Sequence, residues 1–206
     1  MYANRNAGSR AHSSDGNPSL ATAEKIQFTN QTGYSDTFFY YGDIEVTATP
    51  QTHNVTLKRA TAMVRFVIND AMPANVTTLR FYYTGGSGAL NAKTGLGCVA
   101  SKQTVTTIAM PAEGAPYIYE LYTIPREQTA NLSLTVTAYA SGDMIVKERV
   151  FKDVTVEQNK ITEFKGSFFT DTQTEEPGTD TPQQTQQETF AVNVDTAWDG
   201  TITKSY

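Results

Sequence analysis

The sequence predicts an all-β protein built as a sandwich or barrel of about seven to nine short strands. Three observations carry this. Apolar and polar residues alternate with period two along most of the chain, and turn residues interrupt the alternation every roughly 8–15 positions. Thr, Tyr, Val and Ala are abundant while Leu, Glu, Lys and Arg are thin, a composition that suits pleated, half-buried surfaces. No stretch shows a helical period or a tandem repeat.

The elements follow in order. Residues 1–23 are small and polar and bury too little apolar surface to offset the entropy of ordering, so a loose N-terminal segment is expected. Lys25–Thr29 and Thr37–Ala48 are the first strand candidates; the aromatic run Phe38-Phe39-Tyr40-Tyr41 ends at Gly42-Asp43, and Ile44-Glu45-Val46 alternates again. Asn54–Asn69 is the clearest strand. Val55 and Leu57 share one parity, and Ala60, Ala62, Val64, Phe66 and Ile68 share the other. A one-residue slip would turn every side chain to the wrong face, so a bulge or break is expected at Lys58-Arg59.

Val76–Thr84 alternates Leu79, Phe81 and Tyr83 against Thr78, Arg80 and Tyr82. Gly85-Gly86-Ser87-Gly88 ends it and reads as a flexible turn, since a phosphate-cradling loop needs a helix with Lys and Ser or Thr next. Val99–Met110 and Pro116–Ile124 look like the arms of a hairpin. Leu132–Tyr139 and Met144–Phe151 flank Ser141-Gly142-Asp143, a compact hairpin turn. Val154-Thr155-Val156 leads to a turn at Gln158-Asn159-Lys160, and a last core strand spans Ile161–Phe169.

Four regions result: a flexible segment 1–23, a β-sandwich domain 24–169, a polar linker 170–188 and a C-terminal strand segment 189–206. The linker holds no large apolar residue and is expected to be disordered. After it, Phe190, Val192 and Val194 alternate with Ala191, Asn193 and Asp195, followed by Trp198-Asp199-Gly200 and Ile202. A tethered strand is not stable alone, because its backbone groups and apolar face need a partner. Three readings stay open: it folds back on its own sandwich, it pairs with another molecule, or it is the start of a truncated element.

Charge and composition narrow the function. With a net charge of −5 and no basic run beyond Lys58-Arg59, nucleic acid is not the expected partner. No apolar stretch approaches the roughly 20 residues that span a bilayer. The single cysteine, Cys98, allows no internal disulfide and no multi-cysteine metal site, and the two histidines, His12 and His53, sit in polar segments. Carboxylates are scattered (Glu45, Glu113, Glu120, Glu127, Glu148 and Glu157), and no nucleophile stands beside a base. Neither catalysis, a cofactor nor a metal is expected. The start Met1-Tyr2-Ala3-Asn4-Arg5 does not read as a secretion signal, while the Thr-rich, Lys-poor composition points to the mature form of an exported protein.

Three stretches carry a resemblance. Val55–Phe66, with Leu57, Arg59, Ala60, Ala62 and Val64, resembles the opening strand of fimbrillin-like proteins. Val154–Gly166, with Asn159-Lys160-Ile161-Thr162, is similar to their closing hairpin, and Phe190–Gly200 with its Trp-Asp-Gly is similar to the C-terminal strand of Mfa-like members. The resemblance spans about residues 37–206. These are type V pilus subunits, anchors and adhesion relatives of Gram-negative anaerobes.

The resemblance implies a transthyretin-like Greek-key β-sandwich, export as a lipoprotein precursor and display at the outer membrane. It also implies assembly with other fimbrial subunits by β-strand addition, after cleavage behind Arg or Lys. On this sequence Arg5 and Arg10 are the processing candidates, and Phe190, Val192, Val194, Trp198 and Ile202 the strand-donor candidates. Family pilins carry two sandwich domains where one is evident here, and no lipobox cysteine is present. A host or bacterial surface protein or glycan is a further expected partner, and the alternative reading is a secreted carbohydrate-binding β-sandwich module. Its candidate tyrosines, Tyr40, Tyr41, Tyr82, Tyr83, Tyr117, Tyr119 and Tyr122, mostly fall at strand positions, where aromatics are ordinary residues.

Overall fold

A computed structural model describes residues 2–4, 23–27, 35–43, 45, 48–49, 52–170 and 198. The described strands are, in chain order, β1 (Tyr2–Asn4), β2 (Ile26–Gln27), β3 (Thr37–Phe39), β4 (Lys58–Arg59), β5 (Ala62–Ile68), β6 (Val76–Thr84), β7 (Ala89–Asn91), β8 (Leu96–Gly97), β9 (Gln103–Ile108), β10 (Tyr117–Thr123), β11 (Thr129–Ala140), β12 (Met144–Glu157) and β13 (Ile161–Gly166).

Two sheets make a sandwich. One has the order β10-β5-β13, the other β12-β11-β6-β9. All neighbours are antiparallel except β13, which runs parallel to β5 with Phe164 opposite Phe66. The seven strands of these two sheets fall within the expected range. Two three-stranded ribbons, β1-β3-β4 and β2-β7-β8, flank the sandwich.

Alternation sets the core. Ala62, Val64, Phe66 and Ile68 of β5 face Leu79, Phe81 and Tyr83 of β6 and Leu132, Leu134, Val136 and Ala138 of β11, all buried in one cluster. At its centre, the Phe66 ring stacks on Phe164 at 5.1 Å between centroids and meets Phe151 at 5.4 Å and Phe81 at 5.7 Å. Offset and edge-on rings at such spacings add to the effect of area burial alone.

Several expectations hold. β6 spans Val76–Thr84 as read from its alternation. The β11–β12 hairpin turns through Gly142 (φ 74°) and Asp143 (φ 57°), the pair of positive angles that suits the twist of flanking strands. The break near Lys58-Arg59 is present: β4 ends at Arg59, Ala60 and Thr61 intervene, and β5 starts at Ala62 in a different sheet.

Others are corrected. β3 ends at Phe39, so Tyr40 and Tyr41 lie beyond the strand. Ile44 and Val46 lie outside the described residues. Val99–Met110 and Pro116–Ile124 do not form a hairpin; β9 pairs with β6 in one sheet and β10 with β5 in the other. The connection between them holds a 3-10 turn at Pro111–Glu113 and a second proline, Pro116, so the chain crosses between sheets instead of reversing.

Gln158-Asn159-Lys160 is likewise an arch between sheets rather than a hairpin, with Asn159 at φ 59°. Nor is Gly85–Gly88 a flexible turn: Gly86, Ser87 and Gly88 are buried. Ser87 Oγ accepts the N–H groups of Ala89 (3.2 Å) and Val99 (2.9 Å) and lies within 2.8 Å of both their carbonyl oxygens. A small hydroxyl at a crowded crossing satisfies backbone groups that water does not reach.

Candidate functional site: the outer face of the three-stranded sheet

Residues of β5 that alternate with the core row point away from it. Register aligns them with β10 and β13 in three rows: Tyr122–Met63–Ile161, Glu120–Arg65–Glu163 and Ile118–Val67–Lys165. The middle row is ionic. Arg65 donates from Nε to Glu120 at 3.0 Å and reaches Glu163 at 3.5 Å.

The first row is apolar and is capped by Trp198. This residue, 9% exposed, packs with Met63 and Ile161, and Tyr122 lies against them. The rings of Tyr122 and Trp198 are 6.3 Å apart, and the Arg59 guanidinium carbon sits 3.8 Å from the indole centroid. Arg59 is held from three sides. Its Nε and Nη2 donate to the two carboxylate oxygens of Asp36 at 2.8 and 3.1 Å, and its Nη1 donates to Asn159 Oδ1 at 2.8 Å. The Phe38 ring centroid lies 4.7 Å away, and Thr61 donates to Asp36 as well. A planar fork fixed by a bidentate carboxylate keeps both faces available to aromatic rings. The Tyr122 hydroxyl is pushed above its ordinary pKa, by desolvation first and then by Asp36 and Glu120.

β13 ends at Gly166, short of the expected Phe169, and the residues just after it are fixed as firmly. Asp70 accepts the N–H groups of Phe168 (2.8 Å), Phe169 (2.7 Å) and Thr170 (2.7 Å), and the Thr170 hydroxyl donates to it at 3.1 Å. Arg149, buried, donates to the carbonyls of Phe168 at 2.9 Å and Thr170 at 3.2 Å. Burial pushes the Asp70 carboxyl up, yet the hydrogen bonds from Phe168, Thr170 and Phe169 outweigh it and hold the group below its ordinary value.

A second surface lies where β9 and β10 border the sandwich. Ile108 (79% exposed), Met110 (52%) and Ile118 (58%) present apolar side chains there, around a recess of about 490 Å³ that Tyr117 and Tyr119 also line. The Tyr119 hydroxyl is raised to about 12, mainly by burial, with Tyr117 and Glu113 adding to it.

Of the sequence candidates, Trp198 packs on its own sandwich, on a sheet face. Phe190, Val192, Val194, Ile202, Arg5 and Arg10 lie outside the described residues. Arg59, Asp36, Met63, Tyr122 and Ile161 were not singled out as site residues from sequence; the phase slip at Lys58-Arg59 was the signal that Arg59 sits at a special place. Cys98 is exposed, its thiol 3.4 Å from the Glu24 carbonyl. Desolvation raises its pKa and Lys25 offsets part of this, so the thiol stays protonated near neutral pH.

Against solved structures, the chain is similar to a protein of Bacteroides ovatus named provisionally as a cell adhesion protein, with 14% identity and a TM-score of 0.33. The likeness covers 53% of this chain and 40% of that one, so this chain spans less than half the length of that neighbour. No curated protein matches. A family model described as a family of unknown function (DUF6562) matches residues 19–206. On that match, which covers nearly the whole sequence, the chain belongs to the family of unknown function DUF6562.

Proposed function

We propose that this chain is a non-catalytic structural and adhesive subunit of the cell surface, fimbrial in kind, that assembles with other subunits by β-strand addition. The observation that carries the reading is the seat of Trp198. Arg59, Asp36 and Asn159 hold one another without help from the tail, so the seat is preorganised for an incoming indole. The clamp on Thr170 fixes where the tail begins. Residues 171–197 then give a contour of up to about 90 Å between the clamp and Trp198, against a diameter of roughly 40 Å for a domain of this size. A seat on the same molecule and one on a neighbour are both within reach. In this reading Phe190, Val192 and Val194 occupy alternate positions along a sheet edge, and backbone hydrogen bonds supply much of the affinity.

The test uses a labelled peptide spanning Glu188–Tyr206 and a chain ended at Asp171. The peptide is expected to bind the shortened chain and raise its unfolding midpoint, and a Trp198→Ala peptide is expected to bind at least tenfold more weakly, about 1.4 kcal/mol. A peptide that neither binds nor stabilises removes strand addition by this tail.

A glycan-binding role is the second reading. Phe39, Tyr40, Tyr41, Thr56, Lys58, Lys93 and Thr94 line a recess of about 380 Å³ in which Tyr41 is 49% exposed. An exposed ring beside polar groups suits stacking on a sugar. Hits on a glycan array that Tyr41→Ala abolishes would favour it; an empty array would remove it.

A further inference from the structure

The four outer edges of the sandwich differ in how they are guarded against pairing. β12 carries Lys147 and Lys152, and its register with β11 shifts beside Asp153, whose φ is 54°. β13 carries Glu163 and Lys165, and β10 carries Glu120. Charges and bulges of this kind are what keep sheet edges apart. β9 has none of them: Gln103-Thr104-Val105-Thr106-Thr107-Ile108 is uncharged, lacks proline and keeps unbroken register with β6. It ends on the exposed Ile108, and the exposed Met110 and Ile118 line the same recess.

The backbone direction is also set. Ala109 N–H donates to Thr77 O at 2.9 Å, so Ala109 is a hydrogen-bonded partner of Thr77 in the antiparallel ladder. By alternation Thr104, Thr106 and Ile108 turn their N–H and C=O groups away from β6. Among the described residues no strand pairs with that side.

We infer that β9 is a self-association edge, on which β9 of a second copy pairs antiparallel about a two-fold axis at Thr106. The strand is its own complement in this register. Thr106 meets Thr106 of the second copy, and Thr104 meets its Ile108, each with outward-facing backbone groups. From Thr104 to Ile108 every cross-strand pair is β-branched and none opposes like charges, the combination that favours antiparallel pairing. The contact is isologous and closes as a dimer, joining two four-stranded sheets into one. It sets Ile108, the most exposed large hydrophobic residue described, beside threonines of the second copy. The inference does not depend on where Trp198 docks.

Sedimentation equilibrium of the full chain from micromolar to millimolar concentration tests it. A concentration-dependent dimer is expected. Thr106→Pro removes an outward N–H without touching the ladder to β6, so it is expected to give a monomer with unchanged circular dichroism. Thr106→Lys places like charges at the axis and is expected to weaken the dimer roughly tenfold, with recovery as salt is raised. A nitroxide at Thr106→Cys, in a Cys98→Ser background, is expected to report a label pair within about 20 Å, given strands about 5 Å apart. A wild-type chain that stays monomeric throughout, a Thr106→Pro chain that remains dimeric, or a dimer in which the Thr106→Cys labels lie far apart overturns the inference. Either result leaves binding of the Glu188–Tyr206 peptide to be judged separately.

Discussion

The guanidinium carbon of Arg59 lies 3.8 Å from the centroid of the Trp198 ring, and the same guanidinium grips both carboxylate oxygens of Asp36. A cation stacked on an indole with little solvent between them stabilises by about 0.5–2 kcal/mol. Trp198 is the single tryptophan, so tryptophan fluorescence reports this seat and no other place in the chain. Native emission is expected at short wavelength, shifting red in Arg59→Lys. An ammonium cannot hold Asp36 through two nitrogens and present a flat face to the ring as well. A double-mutant cycle of Arg59→Lys with Trp198→Ala is expected to show a coupling of roughly 1 kcal/mol. Additive losses would mean that the two residues are merely neighbours.

Asp70 makes the fold acid-sensitive in a defined direction. Its carboxyl is held below its ordinary value in the folded state, despite the opposing effect of burial, by the N–H donors of Phe168, Thr170 and Phe169. A depressed folded pKa gives stability that is present above the unfolded value, near 3.9, and lost as pH falls through the folded one. Asp70→Asn keeps an oxygen acceptor and loses the charge. Its deficit against wild type is expected to be about 1–3 kcal/mol near pH 6 and to shrink progressively as the medium is acidified below the ordinary carboxylate range. Urea midpoints measured from pH 2 to 7 check this; a gap that does not narrow in acid would count against the clamp.

How much of this was legible in the sequence depends on whether a feature is local. The alternation Leu79–Phe81–Tyr83 fixed β6 because one face of that strand meets the core and the other does not. β5 also betrayed its inner row, yet Met63 and Val67 on its other face are buried as well, and period two alone does not say what covers an outer face. The false hairpin at β9 and β10 has the same origin: two strand-like runs with turn residues between them look alike whether the chain reverses or crosses to the opposite sheet. Only the prolines at 111 and 116 hinted at the crossing. The Arg59 seat joins Asp36, Thr61, Asn159 and Trp198, and Asp70 meets residues nearly a hundred positions on. Such pairings follow from topology, which no spacing rule encodes.

Phe66 is the residue whose loss the core is least able to absorb. It is 1% exposed and touches the rings of Phe81, Phe151 and Phe164, drawn from β6, β12 and β13. Truncation to Ala removes the common partner of three rings whose backbones are fixed in two sheets, so the cavity cannot collapse. A loss of about 3–5 kcal/mol is expected. Phe66→Leu keeps most of the volume and is expected to cost less than half as much. Denaturant unfolding of both variants, with the slope against denaturant unchanged, checks the ratio. Equal losses would show that the ring contacts, rather than the filled volume, dominate at this site.

Gly95 and Gly142 share a φ of 74° and differ in what surrounds them, which separates two effects that substitutions usually mix. A side chain at this φ is strained by about 1 kcal/mol wherever it stands. At Gly142, on the β11–β12 turn, an added Cβ would meet nothing within 4 Å, so Gly142→Ala is expected to lose little beyond that strain. At Gly95 the Cβ would overlap the Phe39 ring. Phe39 cannot retreat easily, because it is buried in the small cluster formed with Ile26, Ala60, Leu90 and Ile124. Overpacking of that kind adds about 1–3 kcal/mol. Gly95→Ala is therefore expected to unfold several degrees below Gly142→Ala, at about 2–4 °C per kcal/mol for a chain of this length. Melting curves of the two variants decide the matter: matching midpoints would mean that Phe39 moves freely and that the β3–β4 ribbon packs only loosely on β7 and β8.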